Sequence, residues 1–157
     1  MNRRDHTYSP TVRWTGNLGS GTSGYTAYSR DHVVSVPGRP DIAGSSDPAF
    51  RGDASRHNPE DLLVASLSSC HMLWYLHLAA EAGVVVTDYR CAPTGVMVED
   101  AERGGWFERV TLAPTVTLAA GSDPAKARDL HAAAHAKCFI ANSVNFPVDC
   151  VPTIVFG

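Results

Sequence analysis

Cysteine and histidine are the residue types here with the most chemistry in them, and two short stretches concentrate them. Cys70 stands in Ser68-Ser69-Cys70-His71, in the middle of a long apolar segment. His131-x-x-x-His135-x-x-Cys138 spaces its three side chains by four and then three residues, which places them on one face of a helix. A thiolate can attack, be oxidised or ligate a metal. Histidine and cysteine together are zinc donors. The remaining thiols, Cys91 and Cys150, fit no motif and read as core residues. A free cysteine otherwise behaves as a small buried hydrophobe, so Cys70 and Cys138 need a second signal before either counts as functional. No C-x-x-C occurs, which argues against a thioredoxin-type motif or a zinc ribbon. The metal reading of His131, His135 and Cys138 lacks a fourth protein ligand at helical or loop spacing nearby.

The element that must position Cys70 is predicted as a helix over 58–82. Asn58 suits the N-cap, Pro59 the first helical position, and Glu60 and Asp61 the positive end of the dipole. Gly83 suits a left-handed stop. Apolar residues lie on nearly every face, including Leu62, Leu63, Leu67, Met72, Leu73, Trp74, Leu76 and Leu78. A helix apolar all round is expected to be buried in a core or an oligomer interface. Serines and two histidines interrupt it, so it does not read as a membrane span.

The elements before it, over 1–57, read as N-terminal strands (Val12–Trp14 and Tyr25–Val36) and a long polar loop from Pro37 to His57. The Gly-rich link 16–24 lacks the Gly-Lys-Ser/Thr ending of a phosphate loop. After the helix, over 84–157, strands are expected at Val84–Cys91, Val96–Glu99 and Trp106–Leu118. A second helix follows from Pro124, capped by Asp123, to about Lys137; a short helix or turn from Cys138 to Asn145; and a last strand over Val148–Phe156. This order predicts a single α+β domain over 1–157.

Composition narrows the function classes. The chain has 157 residues, 44% of them hydrophobic and 18% charged, with a net charge of −3. That is enough chain for a core, and it gives no reason to expect nucleic acid or an acidic membrane as a partner. No apolar run is expected to reach membrane-span length, and MNRRDHTYSP has no apolar signal region, so a cytoplasmic location is expected.

The stretches NPEDLLVASLSSCH and AHAKCFIANSVNFPV resemble the superfamily of osmotically inducible protein C (OsmC) and organic hydroperoxide resistance protein (Ohr). The resemblance runs from about Trp14 to the C-terminus. It is closer to the OsmC-like branches than to Ohr, where the second cysteine is followed by proline; here Phe139 follows. The resemblance implies an OsmC-like α+β fold, with antiparallel sheets, a long buried central helix and an intertwined homodimer. It implies a thiol peroxidase that reduces organic hydroperoxides with no cofactor and no metal. It gives Cys70 the peroxidatic role and Cys138 the resolving role, with Glu60 as catalytic glutamate. The family's arginine falls best on Arg30, with Arg51 a rival.

Those residue types suit that chemistry. A thiolate attacks the O–O bond, and burial opposes charge, so the site needs a cation beyond the reach of the helix dipole. Arginine is the permanent cation, and a buried arginine needs a carboxylate. Attack leaves a sulfenic acid, the second thiol condenses with it, and an external dithiol (for instance of lipoyl type) restores the pair. Met72, Leu73, Trp74, Phe139 and Phe146 would favour an alkyl or aryl peroxide. Glu60 and Cys70 are about 15 Å apart along one helix. Two copies of the helix packed antiparallel about an axis near Ala65 would bring Glu60 of one chain to Cys70 of the other. The alternatives are a non-catalytic carrier of hydrophobic ligands on the same fold, or the His/Cys metal protein.

Overall fold

In a computed structural model describing residues 4–157, one long bent hairpin supplies most of the β structure. Its first arm is β4 (Val86–Cys91) followed by β5 (Thr94–Asp100), and its return arm is β6 (Gly104–Leu112) followed by β7 (Pro114–Leu118). Each arm breaks where proline stands, at Ala92-Pro93 and at Ala113-Pro114, because proline cannot donate to a ladder. Beyond the break the strands belong to a different sheet. β5 and β6 pair antiparallel and β8 (Val148–Cys150) joins β6 in parallel; β4 and β7 pair antiparallel and β9 (Thr153–Phe156) joins β7 in parallel. Val151-Pro152 makes the same break between β8 and β9. The single strands expected over Trp106–Leu118 and Val148–Phe156 are therefore each two strands, divided at the bend.

The described chain forms two compact units, one ending at Leu62 and the other running from Leu63 to Gly157. The first holds a three-stranded antiparallel sheet of β1 (Thr11–Trp14), β2 (His32–Ser35) and β3 (Ile42–Gly44). Two expectations need correcting here. Only His32–Ser35 of the expected Tyr25–Val36 strand is extended into the sheet. The segment before it turns because Arg30 folds back on its own neighbours, donating from Nη1 to the Tyr28 carbonyl and from Nη2 to the Tyr25 carbonyl, each at 2.9 Å. The expected loop 37–57 contains β3 and a 3-10 turn over Pro48–Phe50, capped by Asp47 Oδ1, which accepts from the Ala49 amide at 2.7 Å.

The central helix, α1 (Pro59–Glu81), starts and stops as its ends predict. Asn58 Oδ1 accepts from the Asp61 amide at 2.7 Å, and Gly83 takes a φ of 71° just past the last turn. One stripe of α1 is buried within the chain: Leu67, His71, Tyr75 and Ala79, one residue per turn. The opposite face is open in the single chain, where Leu73 is 63% exposed, so burial within the chain accounts for one face of the apolar helix only. By length and composition α1 is apolar enough to cross a membrane, with a mean hydropathy of 1.3. That corrects the sequence expectation, since its leucines outweigh the serines and histidines in the average. Here its buried stripe faces the protein's own sheets.

The stripe touches two separate apolar clusters. Leu67 packs with Val110 and Leu112, backed by Phe107, Val144 and Phe146. Tyr75 and Ala79 pack with Val84, Val116, Leu118, Ala127 and Ala134. The last two of these come from α2 (Pro124–Lys137), whose cap Asp123 accepts from the Ala125 and Lys126 amides. The approach is tight at Gly95 of β5, where a Cβ would lie 2.7 Å from both the Val64 side chain and the Phe107 ring. Full burial of a leucine such as Leu67 contributes about 1.5–3 kcal/mol. His71, the member of the stripe between Leu67 and Tyr75, falls between the two clusters.

Candidate active site

Cys70 is half-buried near the middle of α1, while Cys138 is 1% exposed at the C-cap of α2. All four cysteines are free. The end of α2 is built to present Cys138. The helix stops because residue 138 turns to φ −68°, ψ 109°, and its amide donates back to the His135 carbonyl at 3.1 Å. The chain then curls through a 3-10 turn over Ala141–Ser143, so that the Ala141 amide donates to Cys138 Sγ at 3.4 Å and the Asn142 amide to the Cys138 carbonyl at 3.0 Å. The Cys138 thiol is pushed up to about 11, first by burial and then by the neighbouring Cys70 thiol; the Ala141 amide works the other way. The negative end of α2 also disfavours a thiolate at its C-cap. Cys138 is therefore a neutral thiol held against Cys70.

A profile of the OsmC-like protein family matches residues 52–151. The chain belongs to the OsmC-like family. Solved structures extend the likeness over nearly the whole chain. An OsmC-like protein of unknown function from Vibrio cholerae is 30% identical, with a TM-score of 0.85 over 94% of this chain and 99% of that one. An organic hydroperoxide resistance protein OsmC from Legionella pneumophila is 19% identical, with a TM-score of 0.67 over 96% of this chain and 99% of that one. The organic hydroperoxide resistance protein OhrB of Bacillus subtilis is 21% identical, with a TM-score of 0.64 over 95% of this chain and 98% of that one. At their level of identity, the last two show a shared fold. No curated protein sequence matches the chain.

The other candidate residues of this OsmC-like protein divide into groups. Trp74, one turn beyond Cys70 on α1, meets Phe139 edge to face with ring centroids 5.6 Å apart. Lys137 Nζ lies 5.4 Å from the Trp74 ring centre. Phe139 is 65% exposed and Leu73 nearly as much, so aromatic and aliphatic surface stands open beside the two thiols. Met72 points elsewhere. It lines a shallow cavity of 250 Å³ with Ser68, Tyr89 and Cys91. Phe146 sits in the core cluster of Leu67, 5.5 Å from the Phe107 ring.

Arg30, Arg51 and Glu60 belong to the first unit. The Arg30 guanidinium lies between two aromatic rings, 4.6 Å from the centre of Tyr25 and 4.2 Å from that of Tyr28. Arg51 adopts a left-handed φ of 66° and stands 5.7 Å from the same Tyr25 ring. The two rival arginines thus share one aromatic neighbour. Glu60 lies in the first turn of α1, and its Oε2 is shielded from water with no hydrogen-bond partner.

One group was missed by sequence reasoning. His131 does not form one cluster with His135 and Cys138: it is buried and His135 exposed on α2, although both histidines border one cavity. The partners of His131 are His71 and Cys150. Nothing in the sequence points to this trio, whose members come from α1, α2 and β8 and share no spacing.

Proposed function

We propose that this OsmC-like protein is a thiol-dependent peroxidase that reduces organic hydroperoxides to alcohols. The observation that carries the reading is the Cys138 thiol, neutral, buried and close enough to Cys70 for the two thiols to influence each other. In this reading the Cys70 thiolate attacks the outer peroxide oxygen. The O–O bond breaks, the alkoxide takes a proton and leaves as the alcohol, and Cys70 becomes a sulfenic acid. The Cys138 thiol then attacks that sulfur, the S–O bond breaks, and water leaves as the disulfide forms. An external dithiol returns two electrons and two protons by exchange. The balance is one hydroperoxide and one dithiol consumed, with one alcohol, one water and one disulfide of the reductant formed.

Substrate preference follows from the surface beside the thiols. Trp74 and Phe139 offer apolar contact to an alkyl or aryl group, which hydrogen peroxide lacks. Two relatives of the same fold carry organic hydroperoxide resistance in their names, which supports the same substrate class.

The proposal includes a homodimer. The open face of α1 supports it, as does the unpartnered Glu60 Oε2, which lacks a cation. An antiparallel pair of α1 helices would cover Leu73 and carry Glu60 of one copy toward Cys70 of the other, with Arg30 or Arg51 completing the charge. The test is consumption of an alkyl hydroperoxide by the reduced full-length chain with a dithiol. Turnover that exceeds turnover of hydrogen peroxide is expected. No turnover with alkyl, aryl or fatty-acid hydroperoxides, using either a monothiol or a lipoyl-type dithiol, would overturn the reading.

A further inference from the structure

The seam between the two apolar clusters is filled by polar groups. His71 of α1, His131 of α2 and Cys150 at the end of β8 meet there; the two histidines are 1% and 4% exposed. His71 Nε2 and His131 Nδ1 are 2.9 Å apart, and Cys150 Sγ lies 3.7 Å from the first and 3.8 Å from the second. The imidazole planes are within 2° of parallel, and the Tyr75 ring stacks on His131 at 4.0 Å. Tyr75 is itself fixed by donating its hydroxyl proton to the Ala127 carbonyl. Three donor atoms are thus held on three different elements, with little freedom to move.

A hydrogen bond between two neutral imidazoles accounts for only part of this. Whichever ring donates, its outer nitrogen is left with a lone pair and the other ring's outer nitrogen with a proton. Both outer atoms, His71 Nδ1 and His131 Nε2, are buried with no partner. Ligation at the two inner nitrogens would leave a proton on each outer one, so these atoms do not separate the two arrangements, but apolar side chains would fill this seam at less cost than either. The separations match the ligated arrangement. A tetrahedral ion with bonds of about 2.0–2.1 Å to nitrogen and about 2.3 Å to sulfur places two nitrogens about 3.3 Å apart and nitrogen and sulfur about 3.6 Å apart. Seating an ion requires that the two rings part by about 0.4 Å and turn their inner nitrogens toward it.

We propose that His71 Nε2, His131 Nδ1 and Cys150 Sγ bind a zinc-type divalent cation, with a solvent-derived fourth ligand. The fourth position faces an open cavity of 440 Å³ lined by His131, Cys150, His135, Arg128 and Asp149. Arg128 and Asp149 bring opposite charges to its mouth, and Arg128 is held off by donating to the Pro152 carbonyl at 3.0 Å. Both histidines are ready to ligate at neutral pH, since burial, the largest cause, holds each down to about 4. Burial, with Cys91 second, pushes the Cys150 thiol up to about 11, so it arrives protonated. Binding breaks its S–H bond, forms the metal–sulfur bond and releases one proton to solvent. The donor set of two imidazoles and one thiolate suits zinc and excludes calcium and magnesium. The site uses neither Cys70 nor Cys138, so it stands independently of the peroxidase reading.

The experiment is a titration of the reduced, chelator-stripped full chain with Co²⁺, a coloured stand-in for zinc. The expected result is one equivalent bound per chain, with four-coordinate d–d bands and a thiolate-to-cobalt charge-transfer band that Zn²⁺ abolishes. The band should persist in a Cys70→Ser/Cys138→Ser double variant and in Cys91→Ser, and disappear in Cys150→Ser. Proton release, read with a pH indicator, should be one per ion. Absence of a charge-transfer band in the wild-type chain overturns the proposal without recourse to any variant. So does a band that survives Cys150→Ser or is lost in the double variant, which would move the ion to the other thiols.

Discussion

Cys70 and His71 are neighbours in the chain, yet they serve two regions that differ in almost every respect. Cys70 and its companion Cys138 border open surface, with Phe139 65% exposed and Trp74 one turn away. His71 and its companions His131 and Cys150 fill a seam between two apolar clusters, with His131 and Cys150 bordering the cavity beside β8. A step of one residue along a helix turns a side chain by about 100°, and that rotation separates the two environments. The open region suits a thiol that must meet a peroxide, a second thiol and a reductant in turn. The buried one suits donors that must hold still. The lesson is that adjacent residues in the middle of α1 belong to two separate groups of side chains, one beside open surface and one buried.

The comparison breaks most visibly at Cys70. Cys70→Ser should reduce dithiol-dependent turnover of an alkyl hydroperoxide to the uncatalysed background while leaving cobalt binding intact; near-normal turnover would place the reactive thiol elsewhere. A smaller loss is expected from Cys138→Ser. That variant should trap a Cys70 sulfenic acid, detectable by a sulfenic-acid-specific label, and inactivate faster under excess peroxide. Equal resistance to inactivation would remove Cys138 from the resolving role.

Next in size is a test of the composite dimer. Co-refolding an inactive Cys70→Ser chain with an inactive Glu60→Ala chain should restore part of the activity, since a mixed dimer holds one site with both groups intact. No recovery in demonstrated mixed dimers, or an active monomer by sedimentation, would confine the site to one chain. Packing sharpens the same contrast between faces of α1. Leu67→Ala should cost about 2–5 kcal/mol in chemical denaturation, as an emptied core position does. Leu73→Ala should cost under about 0.5 kcal/mol in any isolated chain, so a larger, concentration-dependent loss would mark residue 73 as interfacial.

The smallest effect is on pH dependence. With its thiol held up to about 11, Cys138 stays protonated at neutral pH. Its alkylation, followed peptide by peptide, should be slow at pH 7–8 and rise about tenfold per pH unit toward that value, because only the thiolate reacts. A plateau reached below pH 9 would show an ordinary, unburied thiol.

Much of this was legible in the sequence because it rests on local rules. Asn58, Pro59 and Gly83 mark the ends of α1, and Asp123 with Pro124 the start of α2. The stretches NPEDLLVASLSSCH and AHAKCFIANSVNFPV resemble the OsmC-like family, which the profile match over residues 52–151 shows. What sequence could not reveal depends on contacts between distant elements. The bend that divides the strands at Pro93, Pro114 and Pro152 is visible only once the three breaks line up side by side. The turn at Tyr25–Arg30 follows from one guanidinium reaching two carbonyls, which overrides a β-prone run. The trio of His71, His131 and Cys150 has no spacing to read, and the helical match of His131 to His135 drew attention to the wrong pair. Met72 was grouped with the thiols by proximity in sequence, although two residues along a helix face nearly opposite ways.

The central claim is that Cys70 and Cys138 act as one redox pair, and mass spectrometry after a single equivalent of alkyl hydroperoxide tests it most directly. The reduced chain, oxidised without reductant and digested under acid to prevent exchange, should yield one disulfide-linked pair of peptides joining Cys70 to Cys138 within a chain, with Cys91 and Cys150 still free. A Cys91–Cys150 bridge, a Cys70–Cys70 link between chains, or four unmodified thiols would contradict it.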